Sequence, residues 1–498
     1  MSKARFYMLL GIVLCLGGFL CFTPQVFGQA ATTGAILGVV TDPSGAVVPN
    51  AEVTITDIAT GTSRILHSDH AGRFDAEGLP AAGTLYNVTV KATGFKTYVS
   101  HSVKLDPSER VTVNVSLQIG ATASEVTVTA AAIHVNTTSG ASAGTISGTE
   151  VQELQLNGRD FRGLALLVPG VNSTAITGTP VGGGSLNGGG LTGETPISVN
   201  GLGREMNMYL TDGAYNMNTG NMINLNVVQP IDSIAEFRIL KDNYSARYGI
   251  AGGAVVMVAT KSGGREFHGS AYDFLRNNAF DARNFFSPTT PVLKQNIFGG
   301  SIGGPIYIPG HYNTEKTKTF FFASVEARVR HVGDVLRGAM IPGAMRNGDF
   351  TNSPTIAAGG LSLDPTAQSI LSAEHPGINC VPDPFHLNPA CFDPNSVALM
   401  NHFWPLPNNP AGGFLNYLNN GVEIFDVQDH TYRVDQNFGE KYRLMARVSY
   451  ETTKDSSPNL AWGGNPAPTE TQTIGTTGFN NLLQFTANIN PTTINQVS

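Results

Sequence analysis

Residues 241–264 read KDNYSARYGIAGGAVVMVATKSGG, and this stretch decides the fold. Its first half closes on Tyr248-Gly249 and on Gly252-Gly253. Glycines at such points let backbone turn sharply and pack close to a neighbour. The second half, Ala254 to Thr260, is a short apolar run rich in valine, bounded by Lys261-Ser262-Gly263-Gly264. An apolar run of that length between turn signals reads as one buried strand. The pattern differs on its two sides. Before it the chain mixes short strands, helical patches and a glycine-rich loop. After it the apolar residues fall into a period of two over longer segments.

Thr319 to Arg330 shows that period most clearly. Phe321, Ala323, Val325, Ala327 and Val329 fall on one face, and Ser324, Glu326, Arg328 and Arg330 on the other. Lys441 to Tyr450 repeats it, with Tyr442, Leu444, Ala446, Val448 and Tyr450 against Arg443, Arg447 and Ser449. Further strands are expected at Gly269–Arg276, Lys294–Ile302, Tyr432–Phe438 and Phe479–Ile489, with a tight turn at Gly439-Glu440. In water such a face covers a soluble core. In a membrane it meets lipid while the opposite face lines a polar lumen. Tyrosines at both ends of the second strand suit interfacial girdles. Strands of about 9–11 residues have the length that a tilted transmembrane strand needs.

Composition narrows the choice. Of 498 residues 13% are charged, against about 25% in ordinary soluble domains. A formal charge of -7 without any Lys/Arg run argues against a nucleic-acid partner. A mean hydropathy of -0.02, with no interior apolar run near 18 residues, excludes an ordinary helical membrane protein and leaves a barrel open. At the N-terminus Lys3 and Arg5 precede an apolar core from Phe6 to Phe22, with small-residue cleavage sites at Gly28 or Ala30. Residues 1–30 therefore read as a cleaved secretory signal, with an uncleaved anchor as the alternative. Cys15 and Cys21 leave with it. Cys380 and Cys391 remain and read as one local disulfide stapling a long loop in an oxidising compartment. A zinc pair with His386 is the alternative, but a fourth ligand is not apparent. No metal and no cofactor are assigned.

The stretch at 241–264 resembles the end of the plug domain of TonB-dependent outer-membrane receptors. Other segments match that plug in order. L-Q-L-N-G-R-D-F at 154–161 and L-L-V-P-G-V at 166–171 are similar to its first helices. Ile197-Ser198-Val199-Asn200-Gly201 and Tyr209-Leu210-Thr211-Asp212-Gly213 are similar to its two short strands. The resemblance implies a small α/β plug over 133–262, with Asn200, Gly201, Asp212, Gly213, Tyr248, Gly249, Gly252 and Gly253 at its marker positions. The family's first strand reads arginine-glycine. Asn200 stands in place of that arginine, which puts an ionic plug-to-wall contact in doubt at this site. Between the two groups, 171–195 is a Gly/Thr/Asn loop of a length that is often functional.

Residues 34–118 read as six or seven short alternating strands, a β-sandwich pattern. G-x-V-x-D-x-x-G-x-x-V-P-x-A-x-V from Gly38, then Gly72-Arg73-Phe74 and Gly94-Phe95, resembles the carboxypeptidase regulatory-like domain. That resemblance implies an immunoglobulin-like, carbohydrate-binding-like fold. Phe95, Tyr86 and Tyr98 could stack on a sugar, although Tyr86 and Phe74 fall in strand patterns that suit a core. His67, Asp69 and His70 read as a solvated turn rather than a metal cluster.

Residues 119–132 read as a linker. Within it Glu125, Val126, Thr127, Val128 and Thr129 resemble the TonB box, a strand that pairs with an energising periplasmic protein. The alternative is a last strand of the sandwich. Residues 263–498 are expected to form the first strands of an antiparallel transmembrane β-barrel, six and the start of a seventh near Thr493. Residues 331–429 are expected to be a long irregular extracellular loop. Its segments P-G-A-M-R-N-G-D-F and H-F-W-P-L-P-N resemble the Oar-like branch of the family. Because bacterial barrels need about 8 strands or more, a C-terminally truncated chain is expected.

The fold class is thus mainly β: a sandwich, a plug and an incomplete barrel. The resemblance implies a receptor or transporter in the cell outer membrane, with its N-terminal domains in the periplasm. Its implied partners are a TonB-type protein, outer-membrane lipid and a small ligand, with oligosaccharide and siderophore among the candidates. A surface adhesin or carbohydrate-binding protein is the alternative. No enzyme is expected: H-E-x-x-H, G-x-S-x-G and P-loop motifs are lacking, and Gly299 to Gly304 lacks the dinucleotide spacing.

Overall fold

The computed structural model describes residues 33–120, 125–129, 140–154, 156, 159–173, 197–218, 225–249, 251–283, 290, 292–353, 361, 364–409, 411, 413–457, 472–490 and 493–498. The signal read at 1–30, with Cys15 and Cys21, lies outside these residues, as does the glycine-rich loop beyond Ser173.

The first unit holds β1 (Thr33–Thr41), β2 (Glu52–Asp57), β3 (Ser63–His67), β4 (Arg73–Pro80), β5 (Thr84–Lys91), β6 (Thr97–Leu105), β7 (Arg110–Thr112), β8 (Val115–Ser116) and β9 (Glu125–Thr129). One sheet runs β4-β1-β7, with β8 also on β1, and the other runs β3-β2-β5-β6-β9. Alternation drives the packing. Val53, Ile55, Val88 and Val90 point inward from one sheet and meet Ile36 and Val40 from the other. Tyr86 is buried, and its hydroxyl donates to the Pro80 carbonyl at 2.7 Å. Tyr86, Phe74 and Tyr98 are all core residues, so of the sugar-stacking candidates Phe95 alone is half exposed. Asp69 caps its own turn, accepting from the amides of Ala71 and Arg73.

The second unit holds β10 (Ser142–Ile146), α1 (Gly148–Glu153), α2 (Arg162–Ala165), β11 (Val171–Ser173), β12 (Ile197–Val199), β13 (Met208–Thr211), β14 (Ala214–Tyr215), β15 (Ile234–Asp242) and β16 (Val255–Thr260). Its main sheet runs β10-β15-β16-β13-β14. The valine-rich run is the central strand β16, and every residue of it is buried. Val256 and Val258 enter one apolar cluster, while Val255 and Met257 enter another on the opposite face. A strand covered on both faces needs a continuous apolar run, which is what the sequence supplies. The glycines ahead of it serve close approach. The amides of Gly252 and Gly253 both donate to the Met206 carbonyl, at 3.0 and 2.8 Å. A Cβ on Gly253 would lie 2.7 Å from Asn207 Oδ1. Ser147 and Glu150 form a capping box that starts α1.

The third unit is a seven-stranded sheet in consecutive order. It holds β17 (His268–Asn277), β18 (Leu293–Pro305), β19 (Thr319–Gly338), β20 (Tyr417–Phe438), β21 (Tyr442–Ser457), β22 (Gln472–Asn490) and β23 (Thr493–Val497). Each neighbouring pair is antiparallel. β19 and β20 run for 20 and 22 residues. This corrects the loop expected at 331–429. The ladder continues past Arg330, with Val332 opposite Glu423 and Gly338 opposite Tyr417, so the connection spans only 339–416. It is also less irregular than expected, with α3 (Gly343–Arg346), α4 (Pro365–Glu374) and α5 (Pro394–Phe403). Along this part of β20 apolar residues fall on both faces, Val422 and Ile424 on one and the buried Phe425 and Val427 on the other, so the period-two pattern stops before the strand does.

The faces of this sheet are the reverse of a soluble one. Val325, Tyr442, Val448, Leu483 and Phe485 are exposed on the outside, while Ser324, Glu326, Thr431, Arg433, Arg447 and Ser449 are buried inside. Tyr442 stacks with Phe485 at one level, and Tyr450 meets Phe479 at another. The two levels are about 27 Å apart along the strand at ordinary strand rise, or roughly 20 Å along the membrane normal at a tilt of about 40°, which fits within the apolar band of about 25 Å in outer-membrane barrels. Beyond Tyr450 the strand reads Glu451, Thr452, Thr453, Lys454, Asp455 and Ser456, a polar extension. Among the described residues no helix is long and apolar enough to cross a membrane; the apolar band belongs to strands.

Candidate functional site: the plug against the wall

β13 and β14 are joined by Asp212-Gly213, with φ of 49° and 89°. Positive φ at both central residues is the tight hairpin turn that Asp-Gly favours. The turn buries the Asp212 carboxylate completely. Its oxygens accept from the Thr260 amide at 2.9 Å and the Thr260 hydroxyl at 2.6 Å, which fixes it against the end of β16. From the wall, Arg447 Nε reaches the same carboxylate at 2.8 Å and an Arg433 nitrogen reaches it at 3.5 Å. Arg433 also donates to the Thr260 carbonyl at 2.9 Å, and Arg447 to the Thr211 carbonyl at 3.0 Å. Behind them Asp435 pairs with Arg433 and Arg443, both at 2.8 Å. Asn480 accepts from Arg447 at 2.6 Å and donates to the Tyr215 carbonyl at 2.9 Å.

A second contact lies at Arg159, in the N-G-R-D segment. Its guanidinium pairs with Asp232 inside the plug and with Glu326 of β19 at 3.1 Å. It also lies over the Tyr272 and Phe274 rings of β17, at 4.4 and 4.7 Å. Tyr272 donates its hydroxyl to Glu326 at 2.8 Å. Further along, the Val228 amide donates to Glu451 at 2.9 Å, and Thr431 donates to Gln229 at 2.8 Å.

The seam is therefore made of ions and hydrogen bonds. Opening an apolar seam costs roughly 25 cal/mol for each Å² re-exposed. An ion-paired seam recovers the hydration of each charge when it parts.

The other marker residues serve the plug and its neighbours. Asn200, at φ 53°, donates to Asp242 at 2.9 Å within the plug, and Gly201 completes that turn at φ 79°. The ionic contact doubted at Asn200 is thus made by Asp212 and Arg159. Tyr248 turns the other way, its hydroxyl 3.0 Å from Ser108 of the sandwich. Gly249 follows it before β16. The same seam holds Arg238, donating to the Pro107 carbonyl at 2.7 Å, and Glu236, 3.5 Å from the Lys104 ammonium. Burial pushes the Glu236 carboxyl up to about 8; Asp106 adds to this, and Lys104 offsets it only in part. Burial lowers Lys104, but Asp106 at 2.7 Å and Glu236 outweigh it and leave Lys104 above its ordinary value.

Glu125 to Thr129 is not a free tether here. It is the edge strand β9, paired parallel with β6 from Thr97 opposite Glu125 to His101 opposite Thr129. Cys380 and Cys391 are joined by a disulfide in the long connection.

Residues 259–498 match the model of the outer membrane beta barrel domain, and residues 35–118 match that of the carboxypeptidase regulatory-like domain. Among curated proteins, the TonB-dependent transporter Oar of Myxococcus xanthus is 25% identical over 335 residues. That alignment takes in 63% of this chain and 28% of Oar, so the chain spans little more than a quarter of that relative. Among solved structures, the ferric enterobactin receptor of Pseudomonas aeruginosa aligns over 70% of this chain and 47% of its own, at 16% identity and a TM-score of 0.32. A catechol 1,2 dioxygenase of Acinetobacter radioresistens aligns over 20% of this chain and 58% of its own, at 16% identity and a TM-score of 0.16. Both scores lie below the level at which a shared global fold is inferred. A polar-lined sheet with an apolar outer band, packed against a small α/β domain, fits part of an outer-membrane β-barrel protein. The second half of the chain carries an outer membrane beta barrel domain, and the chain is similar to a TonB-dependent transporter.

Proposed function

We propose that this chain provides the gate of a ligand-uptake receptor whose plug is released by a periplasmic partner. The observation that carries this reading is the pairing of one buried plug carboxylate, Asp212, with two wall arginines, Arg433 and Arg447. A plug meant to be permanent gains nothing from an interface that water can dissolve. A plug meant to move does. In this reading the signal directs export, the sandwich and Glu125–Thr129 face the periplasm, and the long connection lies outside the cell. A TonB-type protein engages Glu125–Thr129 and pulls. The cargo is a small ligand of the siderophore or oligosaccharide class.

The test is carried out in cells on the complete receptor. Deleting 125–129 is expected to abolish uptake of the cognate cargo, screened with radioiron-loaded siderophores and labelled oligosaccharides, while surface binding persists. Changing Arg433 and Arg447 together to alanine is expected to admit vancomycin, a polar antibiotic too large for intact outer membranes. Unchanged uptake after the deletion would refute energised transport and favour an adhesin.

A further inference from the structure

The strand Glu125–Thr129 occupies the outer position of the sandwich sheet β3-β2-β5-β6-β9. The chain delivers it there by a short series of backbone bonds. The Lys96 amide donates to the Gln118 carbonyl at 2.8 Å, and the Gly120 amide donates to the Gly94 carbonyl at 3.1 Å. These bonds anchor the chain beside the start of β6 immediately before β9 begins. Five register pairs then follow without a break. One backbone edge of β9 is used on β6. Its other edge closes no ladder among the described residues. An open strand edge is a template for another chain, and strand addition is the way an extended segment is recognised through backbone alone.

We propose that the TonB-type partner adds its strand to the open edge of β9 while β9 is still seated on the sandwich. The partner's strand thereby extends the five-stranded sheet. The inference rests on the reading of Glu125–Thr129 as the partner-binding segment. The advantage is entropic. Fixing backbone costs roughly 1–2 kcal/mol per residue, and the sandwich has already ordered these residues before the partner arrives. The sandwich is then a presenting scaffold, and a load on β9 reaches the plug by a second route besides the covalent one. That route is the seam where Arg238 holds the Pro107 carbonyl, Tyr248 meets Ser108, and Glu236 faces Lys104.

The experiment uses the purified intact receptor and the recombinant periplasmic domain of a TonB-type protein from the same bacterium. Thr97→Cys with Glu125→Cys places two thiols at partnered positions of β6 and β9. Oxidation should lock the strands together, and the reduced form of the same variant is its own control. A free peptide of residues 123–131 supplies the same backbone without the scaffold. The expected result is equal partner affinity in locked and reduced forms, with the peptide weaker by tenfold or more. Three results overturn the inference. The lock fails to form, so β9 does not sit on β6. The locked form loses the partner and regains it on reduction, so the strand must leave the sandwich to be read. The peptide binds as tightly as the receptor, so the scaffold contributes nothing. If the locked form, the reduced form and the peptide all fail to bind, the partner-binding reading itself falls. Efficient locking would still establish the pairing in that case.

Discussion

At the scale of the residue, Asp212 carries the most. A carboxylate with no exposed surface is tolerable only because Thr260, Arg433 and Arg447 meet it. Asp212→Ala removes the acid and leaves two buried guanidiniums facing each other. A loss of about 3–5 kcal/mol is expected, read from urea unfolding of the detergent-solubilised protein. A loss below about 1 kcal/mol would mean that the arginines find other partners. Gly253→Ala tests the close approach ahead of β16. Its Cβ would crowd Asn207 Oδ1, which holds the Ala254 amide at 3.1 Å, and a cost of about 1–3 kcal/mol is expected in the same assay. Asp212-Gly213 stood out in the sequence only as a marker position of the resemblance, although an Asp-Gly pair has the chemistry of a tight turn. Its partners did not stand out at all. Thr211 and Arg447 stand 236 positions apart, and nothing local marks them as neighbours. The usable signal was weaker: arginines at alternate positions of an amphipathic strand face a lumen, and a lumen filled by a plug must pair them.

At the scale of the element, the wall strands test the membrane. Ala446 lies on the outer face of β21, midway between the aromatic levels of Tyr442 and Tyr450. Arginine there sits near the bilayer midplane, and Ala446→Arg is expected to cost about 2–4 kcal/mol. The measurement is reversible folding into phosphatidylcholine vesicles. Equal folding of variant and parent would argue that this face never meets hydrocarbon. Strand positions were legible wherever one face was apolar and the other polar. Strand ends were not, because β20 continues into a segment with apolar residues on both faces, Val422 and Ile424 against Phe425 and Val427. β9 is open in the sequence between a tether and a last sandwich strand for a different reason. Parallel pairing on β6 is made by backbone groups, which every residue carries, so a tether and an edge strand share one sequence.

At the scale of the molecule, the seam between sandwich and plug should respond to pH. The folded carboxyl of Glu236 is raised from 4.5 to about 8, with Lys104 and Asp106 facing it. Between those values the docked state binds more protons than the undocked one, so docking weakens as pH rises from about 4.5 through about 8. Limited proteolysis of the sandwich–plug connection across that range is the measurement, with faster cutting expected at the alkaline end. Glu236→Gln should flatten the profile; a profile of unchanged slope would assign the pH response elsewhere. The wall arginines have a consequence for descent. One acid answers to two bases drawn from separate strands, and all three are dry. Losing either base still leaves the acid one partner, whereas losing the acid leaves two dry cations without the counter-ion they share, so a lineage drifting at Asp212 is driven to compensate at the arginines. Relatives that lack an acid at Asp212 should therefore also lack one or both of Arg433 and Arg447, while sets that keep the acid with a single arginine are tolerated.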